Sequence, residues 1–281
     1  MSPHDNSAMQ AAAPAVLDRD CPQCSAKHTD AISLSHGSQE WPMVRCNRCN
    51  FIYLTRAPRY EELSTNLAWE KTSIIEDERR LADRPVSKRF SKATRWRMKI
   101  LPRRKMPELL LSENAPAGIV VDLGCGDGGM MNGLDEKFIP GGVEISAELA
   151  HRANENFKTR GGACLHAPSV TGLRQIEAGT VSAVTLRSYL EHELDPLGVL
   201  HEIKRVLKPD GIVLIKVPNY GSWNRMVTGR KWCGIRLPDH LNYFTPRSLK
   251  DMAKIAGFKT RHGLTWALPT SDNMWAVLRH A

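Results

Sequence analysis

Four cysteines carry the plainest chemistry in the chain. Cys21-Pro22-Gln23-Cys24 and Cys46-Asn47-Arg48-Cys49 are two C-x-x-C pairs with 21 residues between them. Each pair sets two thiols on one side of a tight turn, and two such turns complete the thiolate tetrahedron that zinc prefers. The spacing is that of a zinc ribbon. A closed set of four thiolates leaves no position open for a substrate, so the expected role is structural. So short a module has little core, and a metal would supply much of its folding energy. His28 is a spare ligand, and a redox dithiol is the competing reading.

A second constellation follows in Val120-Val121-Asp122-Leu123-Gly124-Cys125-Gly126-Asp127-Gly128. Glycine at alternate positions permits positive φ and lets a ligand approach the backbone. Asp122 stands two residues before the first glycine. A pyrophosphate has no use for a carboxylate there, whereas an ammonium group gains a charge-assisted hydrogen bond. Glu144, further on, can accept from both hydroxyls of a ribose. That feature indicates a nucleoside ligand and is shared with dinucleotide dehydrogenases, the rival reading of any lone Gly-rich turn. Three more residues have types suited to an acceptor site. His192 and His240 are candidate proton acceptors near neutral pH, and Arg187 suits an anion.

Alternating strands and helices must position these groups. Gly118–Leu123 reads as a buried strand, followed by the Gly-rich turn and a helix after Gly129. Ile139–Glu144 is the second strand. Ser146 caps a helix with Leu149, Ala153 and Phe157 on one face. Ala163–His166 and Val181–Leu186 are strands three and four, so Arg187, Tyr189 and His192 leave the end where parallel sheets bind ligands. A helix from Pro196 presents Val199, Leu200, Ile203, Val206 and Leu207. Lys208-Pro209-Asp210-Gly211 is a turn by composition, and Ile212–Val217 is strand five. His240 lies in the insertion that follows, after a segment from Tyr220 to Trp232 that reads as a lid or a packed helix. Thr245-Pro246 opens a helix with Leu249, Met252 and Ile255 inward. Phe258–Thr265 and Asn273–His280 are two strands in direct succession, hence an antiparallel pair at one edge. Upstream, Phe51–Leu54 is a strand. The expected organisation is a tail at 1–20, a zinc-ribbon module at 21–55, a basic helical connector at 56–114 with helices near 69–81 and 87–100, and a ligand-binding α/β domain at 115–281.

The Asp122–Gly128 stretch resembles motif I of the class I S-adenosylmethionine-dependent methyltransferases. Gly142-Val143-Glu144-Ile145-Ser146 is similar to their second-strand motif. Leu190-Glu191-His192, Asp195-Pro196 and Leu207–Gly211 are similar to their motifs around strands four and five. Val217-Pro218-Asn219 and His240-Leu241-Asn242-Tyr243-Phe244-Thr245-Pro246 resemble the subgroup related to ubiquinone O-methyltransferases. The whole arrangement, with Pro58–Leu63 after the cysteine pairs, resembles bacterial methyltransferases carrying an N-terminal zinc ribbon. The resemblance implies a Rossmann-like, seven-stranded sheet with helices on both faces. It implies S-adenosylmethionine bound by Asp122, Gly124, Cys125, Gly126, Gly128, Glu144, Ile145 and Arg187, with His240 and His192 as catalytic candidates. Zinc would sit on Cys21, Cys24, Cys46 and Cys49. One departure stands out: many relatives place an acidic residue after strand three to reach the adenine, and here that region reads Leu165-His166-Ala167-Pro168-Ser169. Adenine then falls to backbone groups or Ser169.

Composition narrows the class further. With 42% hydrophobic and 25% charged residues, the chain is neither disordered nor fibrous. No apolar run approaches the ~18 residues of a membrane span. The Ala-rich start lacks a basic leader, so the expected location is the cytoplasm. Seven cysteines, an odd number, argue against a disulfide framework. Much of the net charge of +9 falls between Arg79 and Lys105, which reads first as a solvated helical face. The expected reaction is methyl transfer to an oxygen of a small metabolite, such as a sugar, lipid-linked or natural-product intermediate. Two rivals are a methyltransferase that grips RNA or protein through the basic segment and a cofactor-binding scaffold without turnover.

Overall fold

The structure, a computed structural model, describes residues 16–58, 106–261 and 268–281. The helices expected near 69–81 and 87–100, and the basic stretch Arg79–Lys105, lie outside the described residues.

The larger sheet has seven strands. In chain order they are β6 (Gly118–Leu123), β7 (Phe138–Glu144), β8 (Ala163–His166), β9 (Val181–Arg187), β10 (Leu207–Pro218), β12 (Phe258–Arg261) and β13 (Asn273–His280). In space they run β12-β13-β10-β9-β6-β7-β8. β8, β7, β6, β9 and β10 are mutually parallel, and β13 is antiparallel to both β10 and β12. The expected antiparallel pair therefore forms one edge. Strand order reverses between β6 and β9, which opens a crevice at their C-terminal ends.

Strand periodicity divides the core in two, because successive side chains point to opposite faces. Val121, Val184, Val213 and Ile215 pack with α3 (Ser169–Arg174), α4 (Pro196–Val206) and α6 (Pro246–Ile255) through Leu173, Leu200, Ile203 and Met252. Their neighbours Val120, Ala183, Ile212 and Leu214 pack with α1 (Met106–Asn114) and α2 (Ala147–Lys158) through Leu111, Ala153 and Phe157. Helix starts follow sequence chemistry. Ser146, Asp195 and Thr245 each cap a helix, accepting from the backbone N–H of Leu149, Gly198 and Ser248.

Four local expectations need correction. The segment after Gly128 is a short 3-10 turn, Gly129–Gly133, and not an α-helix. Gly129, Asn132 and Gly133 are poor helix formers, and nothing there compensates. β10 begins at Leu207, with Lys208–Gly211 carried inside the strand. Leu207 pairs with Val181 and Ile212 with Ala183, so the turn residues form a bulge. In α2 the buried stripe is Ala150, Ala153 and Phe157, and Leu149 is only half-buried. In α6 it is Leu249, Met252 and Ala253, and Ile255 faces solvent.

The N-terminal module has five short strands, β1 (Val16–Asp18), β2 (Ile32–Leu34), β3 (Met43–Arg45), β4 (Ile52–Leu54) and β5 (Arg56–Pro58), with one 3-10 turn at His28–Asp30. β1 pairs with β5, so Val16–Asp18, which fell in the expected tail, form a strand of the module. β2, β3 and β4 form an antiparallel sheet whose fourth strand, β11 (Asn242–Tyr243), comes from the insertion after β10. Trp41, Met43, Ile52 and Leu54 share a core with Tyr220, Trp232, Leu241 and Tyr243 of that insertion. The segment from Tyr220 to Trp232 is thus anchored at both ends, while its helix α5 (Trp223–Thr228) exposes Trp223, Met226 and Val227.

Candidate cofactor and acceptor site

The Gly-rich turn leaves β6 at the crevice. Gly124 has φ +67°, and a Cβ there would lie 2.7 Å from the Tyr189 ring. Gly126 has φ +58°, and a Cβ there would meet nothing within 4 Å, so this part of the turn fronts open space. The Gly126 N–H donates to Glu144 Oε2 and the Ser146 N–H to Glu144 Oε1, both at 2.9 Å. These bonds fix a buried carboxylate beside the turn with lone pairs left for a ligand's hydroxyls. Asp122 is also buried and accepts a hydrogen bond from Thr185 on β9. Burial pushes its carboxyl up to about 7, against the Thr185 bond and the positive charge of Arg187, with Glu144 adding to the rise.

The other expected cofactor residues divide into backbone and side-chain contributors. Cys125 turns its thiol into the core, 3.5 Å from that of Cys164, leaving its backbone for a ligand. Gly128 closes the turn at φ +78°. The Ile145 carbonyl is taken by His166 Nε2 at 3.1 Å. Arg187 ends β9 with its Nε buried and without a hydrogen-bond partner among the described residues. Ser169 does not face an open edge: it is buried, and its hydroxyl is spent on Tyr189. Adenine binding by Ser169 is therefore disfavoured relative to backbone groups.

Both candidate histidines meet beyond the end of β9. Their rings lie 4.7 Å apart, edge to face. His192 Nδ1 is held by the carbonyl and the Oδ1 of Asp239, at 2.9 and 3.0 Å, and Asp239 also pairs with Arg236 at 2.9 Å. His240 Nδ1 donates to the Gly234 carbonyl at 2.8 Å. Burial disfavours charge on His192, but Asp239 outweighs it and raises the pKa to about 9. Burial works against the Asp239 carboxylate too, yet His192 holds it well below its usual range. Burial and the adjacent His192 push His240 down to about 3. The two shifts have opposite sign because the Asp239 carboxylate bonds the His192 ring, whereas His240 bonds a neutral carbonyl. Glu191 is 1% exposed and raised by burial, with His192 and Lys216 opposing.

Sequence reading gave no role to Glu191, Asp239 or Arg19. The available signal for the first two was an acid next to each histidine. Arg19 is buried at the junction of the two parts. Its guanidinium donates to the carbonyls of Leu54, Leu194 and Leu241 and to Asn242 Oδ1. Asn242 in turn donates to the carbonyls of Leu190 and Glu193, and the Glu191 carbonyl accepts from the N–H groups of Leu241 and Asn242.

The four cysteines of the module converge. Their sulfurs lie within 4.8 Å of one another, with Cys21–Cys49 at 3.5 Å and Cys24–Cys46 at 3.6 Å. Thiolates around zinc at ~2.3 Å would stand roughly 3.8 Å apart, so the cage fits the ion. His28 is engaged elsewhere, with Nδ1 2.9 Å from Asp20 Oδ1.

A family profile described as a methyltransferase domain matches residues 87–262. The chain belongs to that family. It is an S-adenosylmethionine-dependent methyltransferase. The methyltransferase resembles in fold the CcbJ methyltransferase of Streptomyces caelestis, at 18% identity and a TM-score of 0.51 over 62% of this chain and 88% of that one. It also resembles a methyltransferase of Clostridium acetobutylicum, at 11% identity and 0.50 over 69% and 99%. No curated protein matches the chain. Among its described residues no helix is long and apolar enough to cross a membrane.

Proposed function

We propose that the enzyme methylates a hydroxyl oxygen of a small-molecule acceptor held between the glycine turn and the Glu191–His192–Asp239–His240 cluster. The convergence of two imidazoles and a buried carboxylate at the end of β9, beside Tyr189 and the turn it touches, carries this reading. S-adenosylmethionine supplies an electrophilic methyl group on a sulfonium. The residues do the rest. Asp122 receives the cofactor's ammonium group, the backbone from Gly124 to Gly128 receives its body, and Glu144 receives the ribose hydroxyls. A hydroxyl must lose its proton as its oxygen is methylated, and the histidine cluster would face that hydroxyl. Arg187, beside Asp122, offsets carboxylate charge and can bind an anionic part of the acceptor. The insertion that walls the site rests on the N-terminal module, whose four cysteines hold zinc structurally.

The test is methyl transfer from labelled S-adenosylmethionine to a panel of hydroxylated sugars, glycolipid precursors and phenols. For the acceptor found, His192→Ala and His240→Ala are expected to lower kcat by about 100-fold or more, with affinity for S-adenosylhomocysteine within about threefold of wild type. Label passing instead into RNA or protein, or full turnover by both variants, would contradict the reading.

A further inference from the structure

We propose that Glu191, His192 and His240 form a second metal site, for a divalent first-row transition cation, whose open positions take the acceptor's oxygen. The inference rests on the acceptor-site reading above and specifies how the cluster would act. One candidate ligand atom from each residue lies within 4.8 Å of the others, close enough for small side-chain rotations to bring all three to one ion.

Three features point to a ligand. Glu191 is almost wholly buried, and neither carboxylate oxygen has a hydrogen-bond partner among the described residues. A buried acid without a partner is costly unless a counter-charge reaches it. Each histidine is also oriented as metal ligands are. His192 gives Nδ1 to the Asp239 carboxylate and His240 gives Nδ1 to the Gly234 carbonyl, the outer contacts that fix tautomer and leave Nε2 for the ion. Finally, the donor set is incomplete as a closed cage. Two imidazoles and one carboxylate leave positions for substrate, unlike the four thiolates of the ribbon. His192, Lys216 on β10 and Arg236 are the nearby cationic groups, and a bound metal would displace the His192 proton. Arg236 is spent on Asp239, and Lys216 makes no hydrogen bond to Glu191. An acceptor hydroxyl on the ion would release its proton to solvent. The oxygen's electron pair would then form the C–O bond as the carbon–sulfur bond breaks and leaves a thioether.

The two metal sites differ in softness, which separates them experimentally. Full-length protein with zinc already in the ribbon is titrated with Co2+ and followed by visible absorption and metal analysis. The expected result is one additional Co2+ per chain, with weak ligand-field bands and no thiolate charge-transfer band. Glu191→Gln and His240→Ala are expected to abolish this binding. Asp239→Asn should weaken it by about 10–100-fold. All three should keep one zinc per chain and bind S-adenosylhomocysteine, which shows that they are folded. No Co2+ beyond the ribbon in wild type, or binding unchanged by Glu191→Gln and His240→Ala, would overturn the site. If Co2+ binds as expected but no hydroxylated acceptor is methylated, the acceptor class fails while the metal site stands.

Discussion

Asp122 shows how one buried group ties folding to cofactor binding. Its carboxyl sits at about 7, against an unfolded value near 3.8. The ligand-free fold therefore holds a proton that the unfolded chain releases. The Asp122 contribution to stability is full below about pH 4 and declines as pH rises to about 7, by about 4 kcal/mol in all. Asp122→Asn is expected to raise the melting temperature of the ligand-free protein at pH 8, measured by calorimetry. Binding runs the other way, because the cofactor's ammonium group needs the ionised form. Affinity for S-adenosylhomocysteine should strengthen between pH 6 and 7.5 in wild type, and titrations at those pH values should show no such trend in Asp122→Asn. The placement of Asp122 and Glu144 beside the glycine turn is legible in sequence because turn, strand and carboxylate lie close together in the chain. Asp239 and Arg19 are not legible so. Asp239 acts on a histidine 47 residues away, and Arg19 reaches an asparagine 223 residues away.

At the scale of elements, the ribbon and the insertion after β10 are one structure. The β4–β11 pairing and the Arg19 contacts join the four-cysteine module to the loop that carries Asp239, His240 and Asn242. Removing zinc with a chelator is expected to abolish acceptor turnover while leaving cofactor affinity within a few fold, since the cofactor turn belongs to β6 and β7. Equal loss of both would contradict this division. Arg19→Ala leaves several buried acceptors unpaired and should cost about 2–4 kcal/mol in denaturant unfolding, with the loss of turnover larger than the loss of cofactor binding. Sequence pattern located β8 and β13 residue for residue, the Ser146 and Thr245-Pro246 signals located the starts of α2 and α6, and Pro196 that of α4. It failed where glycines broke a helix after Gly128 and where a Pro-Asp-Gly turn was absorbed as a bulge in β10. In the first place local propensity decides, and in the second the pairing of β10 with β9 overrides it. β11 is two residues long and exists only because β4 offers it an edge.

For the whole molecule, the fold gathers the glycine turn and the histidine cluster at one end of a seven-stranded sheet and braces the histidine side with the N-terminal cysteine module. Strand order supplies the crevice between β6 and β9. The most direct test is calorimetric titration with S-adenosylhomocysteine, beside NADH, of wild type, Glu144→Ala and His240→Ala. Micromolar binding of S-adenosylhomocysteine alone is expected, weakened at least about tenfold by Glu144→Ala through the lost ribose contacts and little changed by His240→Ala. Binding of NADH, or S-adenosylhomocysteine affinity indifferent to Glu144, would contradict the assignment of this crevice to the methyl donor.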